Sequence, residues 1–141
     1  MVRKSWRQRC LDNPDIMFKR AFNSAKNRAI NRDITFDISV PYLMELYSNQ
    51  DGKCFYSGLN MNIVKKDASK THDPFKMTLD CIDPRLGYVA GNVVWCAYCV
   101  NSMKQKMSLS RMLQVCSAIS GRSNDIKLGY KKIRSMKNGT I

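Results

Sequence analysis

The stretch Met77–Lys104, MTLDCIDPRLGYVAGNVVWCAYCVNSMK, constrains this chain more than any other. Met77–Ile82 reads as a strand and Val93-Val94-Trp95 as a second, short apolar strand. The loop Pro84–Gly91 between them is punctuated by Pro84, Gly87 and Gly91. The second strand leads into a helix over roughly 96–106, on which Asn101 and Lys104 share a face one turn apart. An Asp carboxylate at a strand end and an Asn carbonyl on a facing helix are hard oxygen ligands. Such a pair suits Mg²⁺, which keeps several waters and needs few protein ligands.

The flanks predict helices. Asn13-Pro14 is a good helix start, followed by Phe18, Phe22, Ala25 and Ala29 at helical spacing, with Lys19, Arg20, Lys26 and Arg28 mostly off that stripe. Ile34, Phe36 and Ile38 alternate as in a short strand, and Ser39 with Pro41 starts a helix that Asp51-Gly52 ends. Lys53–Ser57 reads as a short strand and Met61–Pro74 as a polar loop. Ser108 caps a further helix with Leu109, Met112, Leu113, Cys116 and Ile119 as its buried stripe and Gly121 as its stop. The expected fold class is α+β in a single domain, 1–141. Within it lie a basic N-terminal helical region (1–50), a central core (52–107), and a C-terminal helix with a basic tail (108–141).

The formal net charge of +13 favours a polyanionic partner, nucleic acid before lipid, because no basic amphipathic helix with a bulky apolar face stands out. The charge is clustered: residues 1–33 hold nine Lys and Arg against three Asp, and residues 121–141 hold six against one. Two basic ends around a less charged centre suit a site that grips phosphates on both sides. No apolar run approaches the ~20 residues of a membrane span. A soluble cytoplasmic protein, in the host cytoplasm if viral, is therefore the expectation, with no membrane partner. Six cysteines in that setting argue for free thiols or metal before disulfides.

The stretch Met77–Lys104 resembles the core of the HNH endonucleases, the ββα-metal or His-Me finger nucleases, and the likeness extends over about Gly52 to Leu113. The Asn92-to-Asn101 spacing, the Asn-x-x-Lys ending and the Gly87-Tyr-x-x-Gly-Asn92 loop are the residues that carry the likeness. The resemblance implies a Mg²⁺- or Mn²⁺-dependent DNA endonuclease, of the small free-standing kind found in phages as homing or nicking enzymes. Its products would carry 5′-phosphate and 3′-hydroxyl ends. It implies Asp80 and Asn101 as metal ligands and Asn92 as the structural residue of the loop. Cys81 stands in the slot of the catalytic histidine. Lys104, Lys26, Arg28, Arg32 and Arg85 are the expected nucleic-acid contacts.

Cys81 is a poor water-activating base unless its pKa of about 8.5 is lowered. The alternatives are His72, the only histidine, which precedes the first strand; Asp83; the cation alone; or a weak or dead site kept for nucleic-acid binding. A structural Zn²⁺ is not expected. In Cys54-Phe-Tyr-Ser57 a serine holds the second cysteine slot, and Cys96 and Cys99 stand one residue out of step, a turn of about 100° on a helix. A rearranged zinc site of Cys54, Cys96 and Cys99 is the alternative, as in a zinc-stabilised RNA-binding protein.

Overall fold

Serine hydroxyls start three of the helices. The computed structural model describes residues 5–63 and 73–137, so His72 and most of the polar loop lie outside the described residues. Ser5 accepts from Gln8 N–H at the head of α1 (Trp6–Asp12), a helix that sequence patterning does not anticipate. Ser39 accepts from Tyr42 N–H at α3 (Val40–Asn49), and Ser108 from Arg111 N–H at α5 (Leu109–Gly121). Each hydroxyl satisfies an amide that the first helical turn leaves without a partner. α2 (Asp15–Arg32) follows Asn13-Pro14 as expected, with Met17, Phe18, Ala25 and Ala29 buried.

The strands form two small sheets in a mixed α+β fold. β1 (Phe36–Asp37) pairs in parallel with β3 (Tyr88–Val89). β2 (Met77–Cys81) pairs antiparallel with β4 (Val93–Ala97), Asp80 opposite Val94 and Thr78 opposite Cys96. α4 (Tyr98–Lys104) leaves β4 directly. The helix expected from residue 96 starts two residues later because Cys96 and Ala97 are held in the ladder by Thr78 and Met77.

Lys53–Ser57 is not a strand, which corrects the expectation. Gly58, at φ 69°, lets the chain fold back, so Gly58 N–H bonds Cys54 O and Cys54 N–H bonds Leu59 O. Only an isolated bridge from Lys53 to Asn60 remains.

The core lies where α2, α3 and β4 meet. Phe18 packs edge-on against both Tyr47 and Trp95, with centroids 5.4 and 5.7 Å away. Trp95 is fully buried and donates its indole N–H to Leu43 O, so its one polar atom is satisfied. Gln50 substitutes for a missing neighbour strand: its side-chain amide accepts from Trp95 N–H and donates to Trp95 O. A second aromatic chain, Phe22–Phe36–Tyr88, ties α2 to the β1–β3 pair.

The expected single domain resolves into two compact units, Met1–Lys106 and Met107–Ile141. The second contains α5 and α6 (Ser123–Lys137). The stripe expected on α5 is buried only at Met112; Leu113 and Ile119 are exposed, as are Ile126, Leu128, Tyr130 and Ile133 on α6. Among the described residues no helix is long and apolar enough to cross a membrane.

Candidate functional site

Alternation along β2 sends Thr78 and Asp80 to the same face. A cleft of about 500 Å³ opens there, and both residues line it with Tyr88, with Arg28 and Arg32 from α2, and with Asn101 from α4; Lys106 stands in the same wall. Two candidate ligands, Asp80 and Asn101, and two of the expected phosphate contacts, Arg28 and Arg32, are thereby brought together.

Asp80 is 8% exposed. Its Oδ2 accepts the Tyr56 hydroxyl at 2.7 Å and pairs with Lys104 Nζ at 3.0 Å. Burial, then the Asp80 carboxylate, push the Tyr56 hydroxyl well above the usual phenol range, so it stays protonated and donates. Neither donor uses Oδ1, which accepts from no other side chain among the described residues. Asn101 is similar: its Nδ2 donates to Thr78 Oγ1 at 3.2 Å and towards Leu79 O at 3.4 Å, and among the described residues nothing donates to its side-chain carbonyl oxygen. Two oxygens in one cleft wall are thus available to a hard cation, while the opposite ends of both side chains are clamped.

Lys104 requires a correction. The expected phosphate contact is fully buried, and its ammonium also donates to Cys81 O at 2.8 Å. The long side chain follows the Asn101 face of α4 inward and meets β2, so the charge neutralises Asp80 instead of facing a phosphate.

Asn92 is buried and ties the loop at both ends. Its Oδ1 accepts Asp83 N–H at 2.9 Å, and its Nδ2 donates to Asp83 O and Gly87 O at 2.9 and 2.8 Å. Gly87 sits at φ 76°, where an added Cβ would collide with the Thr35 backbone. Close approach of the chain at Gly87 seats Tyr88 beside Thr35, with Tyr88 N–H bonded to Thr35 O.

None of the described candidates for the base is well suited. Cys81 is 7% exposed, and burial, with a further push from Asp80, raises its thiol to about 11 against the lowering pull of Lys104, Arg28 and Arg32. At neutral pH that thiol holds its proton. Asp83 is bound by Arg85 through two side-chain contacts of 3.0 and 2.7 Å, which hold its carboxyl down at about 2. A base that weak accepts little proton from water. Arg85 itself is committed to Asp83 and lines neither this cleft nor its neighbour, and Lys26 likewise lines neither.

Tyr56, Thr78 and Tyr88 are the site residues that sequence reasoning missed. Tyr88 accepts from Arg28 Nε at 3.0 Å and lies under its guanidinium, fixing that arginine over the cleft. Thr78 had a usable signal, two residues before Asp80 on the same strand face. Tyr56 had none, since it meets Asp80 across a turn of unpatterned sequence.

Cys54 and Cys96 are buried and Cys99 is half-buried. Among the described residues no three Cys, His, Asp or Glu side chains cluster as a metal centre would require. A site of one carboxylate, one amide oxygen and waters does not need such a cluster. Compared with protein-family models, curated proteins and solved structures, the chain finds no match.

Proposed function

We propose that this chain is a divalent-cation-dependent DNA endonuclease with an HNH-type core formed by β2, β4 and α4. The reading is carried by the two uncommitted oxygens, Asp80 Oδ1 and Asn101 Oδ1, in a cleft that Arg28 and Arg32 also line. These oxygens would hold Mg²⁺ or Mn²⁺, which would polarise the scissile phosphodiester and lower the pKa of an attacking water. The chain's own groups orient and neutralise. Tyr56 and Lys104 fix the Asp80 carboxylate by one oxygen, and Thr78 fixes the Asn101 amide. Tyr88 presents Arg28 to a bound phosphate, where charge developing in the displacement is stabilised without rearrangement. Asn92 sets the loop that joins the strands.

The test is nicking of supercoiled plasmid in Mg²⁺, with Asp80→Asn and Asn101→Ala as variants and unfolding followed in parallel. Both should lose cleavage under conditions in which the parallel unfolding measurement shows each variant folded. Cleavage at the wild-type rate in both would overturn the assignment. One observation favours a second reading, nucleic-acid binding without cleavage: the thiol in the base position is buried and protonated, and the Asp80 charge is already neutralised by Lys104. Salt-dependent DNA binding with no cleavage in Mg²⁺ or Mn²⁺ at any pH from about 6 to about 9 selects it.

A further inference from the structure

A second, smaller cleft of about 110 Å³ lies beside the first, sharing with it Arg28, Thr78 and Leu79. Arg20, Ser24 and Lys76 line it as well, and among the described residues no carboxylate does. The chemistry of the two clefts therefore differs. The larger holds a carboxylate and an amide oxygen among its cations, whereas the smaller, among the described residues, offers three cations and the Ser24 hydroxyl and no acid. A concave surface of this size that brings Arg20, Arg28 and Lys76 together beside a hydroxyl is matched to a phosphate group with its water.

The placement follows from the helix. Arg20, Ser24, Arg28 and Arg32 stand four residues apart on α2, so they form one stripe with neighbours about 6 Å apart along the axis. From Arg20 to Arg32 the stripe runs roughly 18 Å. At ~3.4 Å of rise per nucleotide, that is the length of about five phosphates of one duplex strand. Arg28, fixed by Tyr88, is the wall common to both clefts.

We propose that the small cleft is a phosphodiester subsite, in which Arg20, Arg28 and Lys76 hold a backbone phosphate of the same DNA strand that crosses the larger cleft. The α2 stripe is then the track that sets the strand's direction through the candidate site. This rests on the DNA-binding half of the proposed function and not on cleavage.

The experiment is equilibrium binding of the full chain to a fluorescein-labelled duplex in EDTA, over a salt series. R20Q/K76Q is compared with K19Q/K53Q, which removes as much charge from residues that line neither cleft. R20Q/K76Q should weaken binding by tenfold or more at low salt and lower the slope of log K against log salt by about 1, for the one phosphate the cleft holds. K19Q/K53Q should change affinity less than threefold, and R20K/K76R, which keeps both charges, should recover most of the wild-type slope. Equal losses in R20Q/K76Q and K19Q/K53Q would overturn the subsite, since only net charge would then matter. So would an effect on titration with inorganic phosphate that leaves duplex binding untouched. The outcome separates from the endonuclease test. Selective loss in R20Q/K76Q upholds the subsite even if no DNA is cut, and Asp80-dependent cutting with no selective loss upholds the nuclease and removes the subsite.

Discussion

Lys104→Met should destabilise the protein by about 3–5 kcal/mol, the range seen when one partner of a buried ion pair is removed. The lysine has no exposure and Asp80 has 8%, so water cannot readily replace the lost ammonium. Two acceptors lose a donor together: Asp80 Oδ2, which keeps only the Tyr56 hydroxyl, and Cys81 O. The lost bond to Cys81 O alone is worth about 1 kcal/mol. The rest comes from a carboxylate left in a site built around a neutralising charge. Methionine fills most of the stem's volume, so cavity formation adds little. Urea unfolding read by Trp95 fluorescence in a Trp6→Phe background reports on the unit that contains the pair. With a slope of about 1–3 kcal/mol/M, the midpoint should fall by at least about 1 M. Asp80→Asn/Lys104→Met should be more stable than the sum of its single changes by about 2 kcal/mol or more, because neither remaining group carries an unpaired charge. A loss below about 1 kcal/mol for Lys104→Met, or strict additivity in the double variant, would refute the reasoning: the pair would then be solvated and Lys104 free to leave.

Gly87→Ala should cost about 2 kcal/mol or more in the same urea assay, combining a left-handed backbone at φ 76° with collision against Thr35. Burial holds the thiols of Cys81 and Cys96 up at about 11 and about 12, so the folded state keeps protons that the unfolded chain sheds from about pH 9. Stability should therefore fall as pH rises from about 9 towards 11, and Cys81→Ala should flatten that fall in urea melts at about pH 8 and about pH 10.5. Tyr56→Phe removes one of two clamps on Asp80 and should lower stability by about 1 kcal/mol, while reducing the cleavage rate more than DNA affinity in a kcat-against-KM comparison.

What could be read in advance was local. Serine caps at Ser39 and Ser108, the Asn13-Pro14 start and the Asp51-Gly52 stop are decided by groups within a few residues of each other, and each stands where its chemistry puts it. Asn92 also acts locally: a side chain with both a donor and an acceptor, beside two glycines, closes its own loop. The failures were of two physical kinds. Lys53–Ser57 was misread because apolar content alone does not distinguish a strand from a buried turn, and Gly58 decided the matter. Lys104 was misread because its role depends on Asp80, 24 positions away, and on the orientation of α4 relative to β2. A cation near a phosphate and a cation near a carboxylate have the same local sequence. The cleft itself was legible only in halves: Asp80 and Asn101 through the family resemblance, Arg28 and Arg32 from charge. That Tyr88 joins the halves through Arg28 required the fold.

The base is the remaining chemical question, and Cys81→His can answer it. The new ring would stand within electrostatic reach of Tyr88, Asp80, Lys104, Arg28 and Arg32. Being larger than a thiol in a buried position, it should lower stability by about 1–3 kcal/mol. Burial and the cations disfavour the imidazolium, while Asp80 favours it. With three cations against one carboxylate already paired to Lys104, the balance places the ring below its ordinary value of about 6.5. It would then be neutral at pH 7 and able to accept a proton from water. If the cleft lacks only a base, cleavage should rise by up to ~10²–10⁴-fold, with a rate that climbs with pH and levels off below about 6.5. The wild-type chain has one histidine, His72, so an inflection near neutrality that disappears in His72→Ala would report that residue rather than a cation-bound water. Should the wild type show that inflection and lose it with activity in His72→Ala, His72 is the base and Cys81→His will add nothing. If neither profile inflects and Cys81→His leaves a folded, DNA-binding protein no faster than before, the cleft lacks more than a base. Binding without cleavage then becomes the function that Arg28 and Arg32 serve.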